Sequence, residues 1–255
     1  MADNQKKQEV LQRILQHIDQ CFQREEYDSA LHIIQKWIEI FRMHQDWQFE
    51  LTLQNEMMGL CRKLGQKKLG LDAVKRAEQL VEQLSAENTM AGGKTYLNMA
   101  TACKNLGELS LSEKYFLKTE NVFQSQQMEN PYPLAALYNN QALLYSDMEK
   151  YDQAEERYEK ALDILRNMTQ TEGEMASTYI SLAHLFQKTD KTRVEEMVQK
   201  ALTLFETMKK DLDSHGAYLF AVNGKSLEIL GYPKEGQELK RLSQQYYADR
   251  KGNES

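Results

Sequence analysis

Three prolines and twelve glycines are all that punctuate this chain of 255 residues. That is too little turn material for a fold of many short strands. No stretch alternates apolar and polar side chains as a half-buried strand does. No apolar run approaches the length of about 18 residues that a membrane-spanning helix needs. The opening Met1-Ala2-Asp3-Asn4-Gln5-Lys6-Lys7 lacks the apolar centre of a signal peptide, so the expected location is cytoplasmic. Catalytic signatures are missing too. There is no Gly-x-Ser-x-Gly elbow, and none of His17, His32, His44, His184 and His215 pairs one helical turn away with a second histidine. No catalytic residue, metal or cofactor is expected. The net charge of -6 and pI of about 5.5 disfavour nucleic acid and anionic membrane as partners.

What is present is helix-forming material. Leu, Ala, Glu, Lys and Gln dominate, and 41% hydrophobic content is enough to bury a core. The clearest stretch is Leu137 to Leu165. Tyr138, Ala142 and Tyr145 share one helical face, and Ala154, Tyr158, Ala161 and Leu165 share another. Asp147-Met148-Glu149-Lys150 between them is too short for a third element. Small alanines facing large tyrosines let two helices interlock.

The second-helix signal recurs as Tyr27–Ala30–Ile34–Trp37, Gly70–Val74–Ala77, Ser112–Phe116–Thr119, Ala154–Tyr158–Ala161, Val194–Val198–Ala201 and Gly236–Lys240–Ser243. The first small position falls at 30, 70, 112, 154, 194 and 236, giving intervals of 40, 42, 42, 40 and 42. A constant period means stacked supersecondary units that bury their apolar faces on one another. The spacing predicts six helix pairs over about 10–45, 46–88, 93–129, 133–171, 173–212 and 215–247, a single array from 10 to 247, with fraying ends at 1–9 and 248–255.

Tyr138, Ala142, Tyr145, Tyr151, Ala154, Tyr158 and Ala161 resemble the signature of a tetratricopeptide repeat. The Leu-Tyr-Asn-Asn opening and the 42-residue period resemble the longer repeats of kinesin light chains and of bacterial peptide-sensing regulators. The resemblance implies an all-α, right-handed superhelical solenoid with the first helix of each pair lining a concave face. Departures are Trp37, where alanine is usual, and Thr119 and Ser243 in place of alanine.

The cysteines follow the same period. Cys21, Cys61 and Cys103 occupy one slot of the first helix, where later copies place Tyr145, Leu185 and Leu227. Equivalent atoms in adjacent repeats lie about 10 Å apart, beyond the roughly 7 Å Cα separation a disulfide tolerates. Packing thiols are expected. Gly92-Gly93-Lys94-Thr95 imitates the end of a phosphate-binding loop, but Asn88 stands where the loop needs glycine and a helix precedes it. Glu25-Glu26, Glu155-Glu156 and Glu195-Glu196 fall near second-helix N-termini, where acidic groups complement the helix dipole.

Asn98 and Asn140 share a first-helix slot, with Asn55 and Asn139 one residue earlier in their copies. The family resemblance places this slot on the concave face, reading a ligand's peptide backbone. An amide suits that task because it both donates and accepts. The competing expectation is that these amides only tie neighbouring helices. Arg62, Lys63, Lys94, Lys104 and Lys188, with His184 near the same helix ends, form a candidate basic lane for an acidic peptide or a C-terminal carboxylate. Solvated cations at helix C-termini are the plainer account of them. The function expected is a non-catalytic protein- or peptide-binding scaffold, as a monomer or weak homodimer. The runner-up is a peptide-sensing regulator acting on a separate protein, because a first repeat beginning by Val10 leaves no room ahead of it for a DNA-reading module.

Overall fold

The computed structural model describes residues 2–126 and 129–253, with side chains over 5–126 and 129–250. Among the described residues there are twelve α-helices and no strand. The chain divides into two compact units, 1–128 and 129–255. The first holds α1 (Ala2–Gln23), α2 (Tyr27–Met43), α3 (Trp47–Leu64), α4 (Lys67–Gln83), α5 (Met90–Asn105) and α6 (Leu109–Ser125). The second holds α7 (Tyr132–Asp147), α8 (Tyr151–Arg166), α9 (Glu172–Phe186), α10 (Lys191–Met208), α11 (Ser214–Leu230) and α12 (Pro233–Asn253). In each unit the helices pack as three successive hairpins. The fold is that of an α-solenoid built from helix pairs.

Helix α1 reaches back to Ala2 and α12 forward to Asn253, into stretches expected to fray. Gln5 to Glu9 are good helix formers, and Lys7 Nζ reaches Asp46 Oδ1 at 2.8 Å. Met1, Glu254 and Ser255 of the expected frayed ends, and Gln127 and Met128 of the third expected repeat, lie outside the described residues.

The hairpin turns repeat as faithfully as the helices. Gly65, Gly107 and Gly231 take left-handed φ values of 66°, 82° and 94°, and Glu25 and Glu149 take the same conformation at 58° and 59°. Five residues beyond the cysteine slot, a backbone N–H closes back on its carbonyl: Glu26 on Cys21, Gln66 on Cys61, Glu108 on Cys103, Lys150 on Tyr145 and Tyr232 on Leu227, at 2.8–3.0 Å. This is the Schellman closure of a helix end. Glu25 is therefore a turn residue and not a first-turn dipole partner.

The fifth hairpin differs. Its turn runs over Gln187 to Asp190, one residue longer than the Met148–Lys150 turn of the fourth. Asp190 caps α10 by accepting from Arg193 N at 3.1 Å, and the N–H of Asp190 bonds the carbonyl of Phe186. Phe186 is buried where Leu185 is expected, and Leu185 is only half-buried against the core; the span from this slot to the small position of the second helix, Phe186 to Val194, is one residue shorter than the Tyr145 to Ala154 span. All three cysteines are buried and free. Burial raises the Cys61 thiol to about 11 and the Cys103 thiol to about 12, which marks inert packing groups.

Two carboxylates clamp hairpins together in the first unit. Glu50 on α3 is fully buried. It accepts two bonds from Arg76 on α4 at 2.8 Å, and bonds at 2.9 and 3.2 Å from Arg42 on α2. Burial pushes its carboxyl up, but the two guanidiniums hold it below the usual range. Glu78 on α4 meets Lys114 and Lys118 at 3.0 Å and the Tyr115 hydroxyl at 2.8 Å, all on α6. Burial raises its carboxyl too, yet these three partners hold it down at about 2. A depressed carboxylate contributes stability above its unfolded pKa and loses it as pH falls toward the folded value. Glu78→Gln is therefore expected to cost about 2 kcal/mol at pH 7, allowing for partial exposure, and much less near pH 3. Urea titrations at both pH values check this. An equal loss at the two would contradict it.

Candidate functional site

The first helices of successive hairpins are joined by amides. In the first unit, Asn55 Nδ2 on α3 donates to the carbonyl of Leu51 at 3.0 Å and, at 3.4 Å, to Thr95 Oγ1 on α5. Asn98 on α5 donates back to Asn55 Oδ1 at 2.9 Å. In the second unit, Asn139 Nδ2 on α7 donates to Thr178 Oγ1 on α9 at 3.0 Å, while the Thr178 hydroxyl lies 2.8 Å from the carbonyl of Glu174. Asn223 on α11 donates to Ser177 Oγ on α9 at 2.8 Å. Asn55 and Asn139, expected as assistants, are half-buried helix ties. Asn98 is exposed and only partly engaged, and the half-buried Asn140 takes no part in these bonds.

A cleft of 200 Å³ between α3 and α5 is lined by Asn55, Asn98 and Arg62, with Glu56, Gly59 and Ala102. It brings together three of the residues singled out from the sequence. Lys63, beside Arg62 in the chain, points elsewhere, with its ammonium 4.5 Å from the centre of the Tyr27 ring on α2. Lys94 in the first turn of α5 and Lys104 near its end do not line this cleft. Glu56 was not legible: burial raises its carboxyl, and Asp19 on α1 raises it further. Asp19 and Glu56 sit in different repeat slots, so the period gives no sign of their pairing. A carboxylate beside Arg62 makes this wall mixed in charge, and the basic lane is not continuous here.

In the second unit, His184 and Lys188 line a larger cleft of 830 Å³ with Tyr151, Glu155, Phe186 and Arg193. Burial holds His184 below its usual pKa, so at pH 7 it is a neutral hydrogen-bonding ring and not a cation. Arg193 forks onto Glu155 at 2.5 and 3.2 Å, with its guanidinium 3.5 Å from the Phe186 ring centre. That arginine is committed to holding α8 against α10.

Gly92-Gly93-Lys94-Thr95 opens α5, capped by Thr89 Oγ1, which accepts from Gly92 N at 3.1 Å. A Cβ on Gly92 would stand 2.0 Å from the Ala86 carbonyl oxygen. Close backbone approach, and not phosphate, accounts for that glycine. Among the described residues no His, Cys, Asp and Glu side chains gather as a metal site would need. No described helix is long and apolar enough to cross a membrane.

The tetratricopeptide-repeat family model matches residues 93–167 and 133–207. Over 93–207 the chain carries tetratricopeptide repeats, and the same helix-pair fold continues on both sides. Among solved structures it is similar to BtubC (BKLC) from P. vanneervenii, with TM-score 0.69 and 19% identity over 78% of this chain and 81% of that one. It is also similar to the apo form of RapI, with TM-score 0.65 and 12% identity over 96% of this chain; the match spans 65% of RapI. A third is a putative kinesin light chain from Podosopora anserina with nearly identical TPR-like repeats, with TM-score 0.52 and 19% identity over 78% and 96% of the two chains. At these identities the likeness is one of fold. No curated protein matches the chain in sequence.

The amide geometry separates two roles by stability. Asn139→Ala strips Thr178 of its neighbour and is expected to cost about 1 kcal/mol. The exposed Asn98 is expected to cost under about 0.5 kcal/mol when changed to alanine. Paired urea titrations check this, and equal losses would contradict the assignment.

Proposed function

We propose that this chain is a non-catalytic scaffold that holds a peptide segment of a partner protein against its first-helix faces. The observation that carries this is Asn98. It is exposed on the wall of a cleft, and one of its N–H groups is oriented by Asn55. An amide has two N–H donors and a carbonyl acceptor. A second N–H and the Oδ1 of Asn98 are thus free to pair with an extended backbone. Fixing that amide in advance lowers the ordering cost of binding. Asn140 repeats the slot in the second unit. The mixed wall of Arg62 and Glu56 favours backbone reading over selection of an acidic ligand.

The test begins with capture of partners from the native host and titration of synthetic segments of a captured partner. Asn98→Ala with Asn140→Ala is expected to weaken binding by about 1–3 kcal/mol in total, roughly 5- to 150-fold. Unchanged affinity would sink the mechanism. A second reading, a regulator that senses a short peptide and acts on a separate protein, draws support from the match to apo RapI along 96% of this chain. Peptide-dependent compaction in solution scattering favours that reading; an unchanged profile favours the scaffold.

A further inference from the structure

The first hairpin repeats, slot for slot, a surface that the third hairpin uses for docking a helix. In the third hairpin, Lys114, Tyr115 and Lys118 of α6 engage Glu78 of α4, the second helix of the preceding hairpin. Beside them Gly92, Thr95, Tyr96 and Met99 of α5 are buried, and Tyr96 stacks on Tyr115 with ring centres 6.3 Å apart. Eighty-two residues earlier, two repeat periods, the same slots of α2 hold His32, Ile33, Lys36 and Trp37. Those of α1 hold Val10, Arg13, Ile14 and His17. These eight residues line a cleft of 490 Å³.

The chemistry of the cleft is ordered. Its floor is apolar, with Val10 38% exposed, Ile14 buried at the base, and Ile33 and Trp37 half-buried. Its rims are basic: Arg13 and His17 stand one helical turn apart on α1, and His32 and Lys36 one turn apart on α2, all four exposed. No carboxylate lines it. Trp37 occupies the slot that Ala77, Thr119, Ala161, Ala201 and Ser243 fill in the other hairpins, all of them buried. A surface made only to meet water would not present tryptophan and valine there.

We infer that this face is a docking site for an acidic amphipathic helix of a partner protein, seated as α4 is seated on the third hairpin. Apolar side chains at i, i+3 and i+4 spacing fill the floor. Carboxylates on either flank meet Arg13 and Lys36 as Glu78 meets Lys114 and Lys118. The groove is about two helical turns long along α1, the length over which a helix in a groove places its anchors. The surface is distinct from the Asn98 cleft, and neither assignment depends on the other.

The experiment uses the whole chain and a labelled peptide of about 18 residues, long enough to hold a helix, with leucines on one stripe and glutamates flanking it. Its lysine counterpart and a scrambled sequence are the controls, followed by fluorescence anisotropy. The glutamate peptide is expected to bind, more weakly as salt rises, and Arg13→Glu with Lys36→Glu is expected to weaken it about tenfold or more. Both positions are exposed, and the salt titration of the unchanged protein tests the same contact without any variant. Absence of binding overturns the inference. So does unchanged affinity in the double reversal, or equal binding of the lysine or scrambled peptide. A mass that doubles with protein concentration and is not lowered by the peptide also overturns it, because a second copy would then hold the face.

Discussion

Two helices can share a wall only where one of them gives up its side chain. The fourth position of the second helix meets that constraint in five of the six hairpins, with Ala30, Gly70, Ser112, Ala154 and Gly236 all buried. The contact is close enough to show in the backbone. Ser112 Oγ donates to the Ala100 carbonyl across the third hairpin at 2.8 Å, and a Cβ on Gly236 would lie 2.4 Å from the Gly224 carbonyl oxygen across the sixth. Val194 is the branched exception. It falls in the hairpin whose turn lacks the left-handed Schellman closure.

From that seam the rest follows outward. A close hairpin needs a tight turn, and the turn draws its hydrogen bond from the cysteine-slot carbonyl while the thiol above it fills the core. Glu25 and Glu149 hold the left-handed position without glycine, a local cost of roughly 1–2 kcal/mol each that packing must offset. The outer flanks then meet the neighbouring hairpin, where Glu50, Glu78 and Glu155 each bind arginine or lysine from another helix. At the fully buried Glu50, removal of its arginine partners would leave an uncompensated charge, which is severely penalised.

The period made the fold legible. Intervals of 40 and 42 residues place the helix pairs and predict that Cys21, Cys61 and Cys103 would be packing groups. Slots defined by a fixed offset fail where the span between paired helices shortens by a residue, so Leu185 is expected at a place that Phe186 takes. The candidate site was legible in part. Periodicity says which slot an amide holds but not whom it faces, so Asn55 and Asn139 proved to be ties while Asn98 remained open to solvent. Charge partners come from different helices, 8 to 40 residues apart. Local sequence therefore does not distinguish the buried Glu50 from an ordinary first-turn acid, nor reveal Glu56 beside Asp19. Neighbouring cations part in the same way: Arg62 turns to the cleft, Lys63 to the Tyr27 ring.

The seam is open to one direct measurement. Ala154 is fully buried on α8. Ala154→Leu adds apolar surface, so hydrophobicity alone would predict a gain. If the close seam is what the hairpins depend on, urea denaturation will show a loss of about 1–3 kcal/mol from overpacking. Unchanged or increased stability would contradict the account.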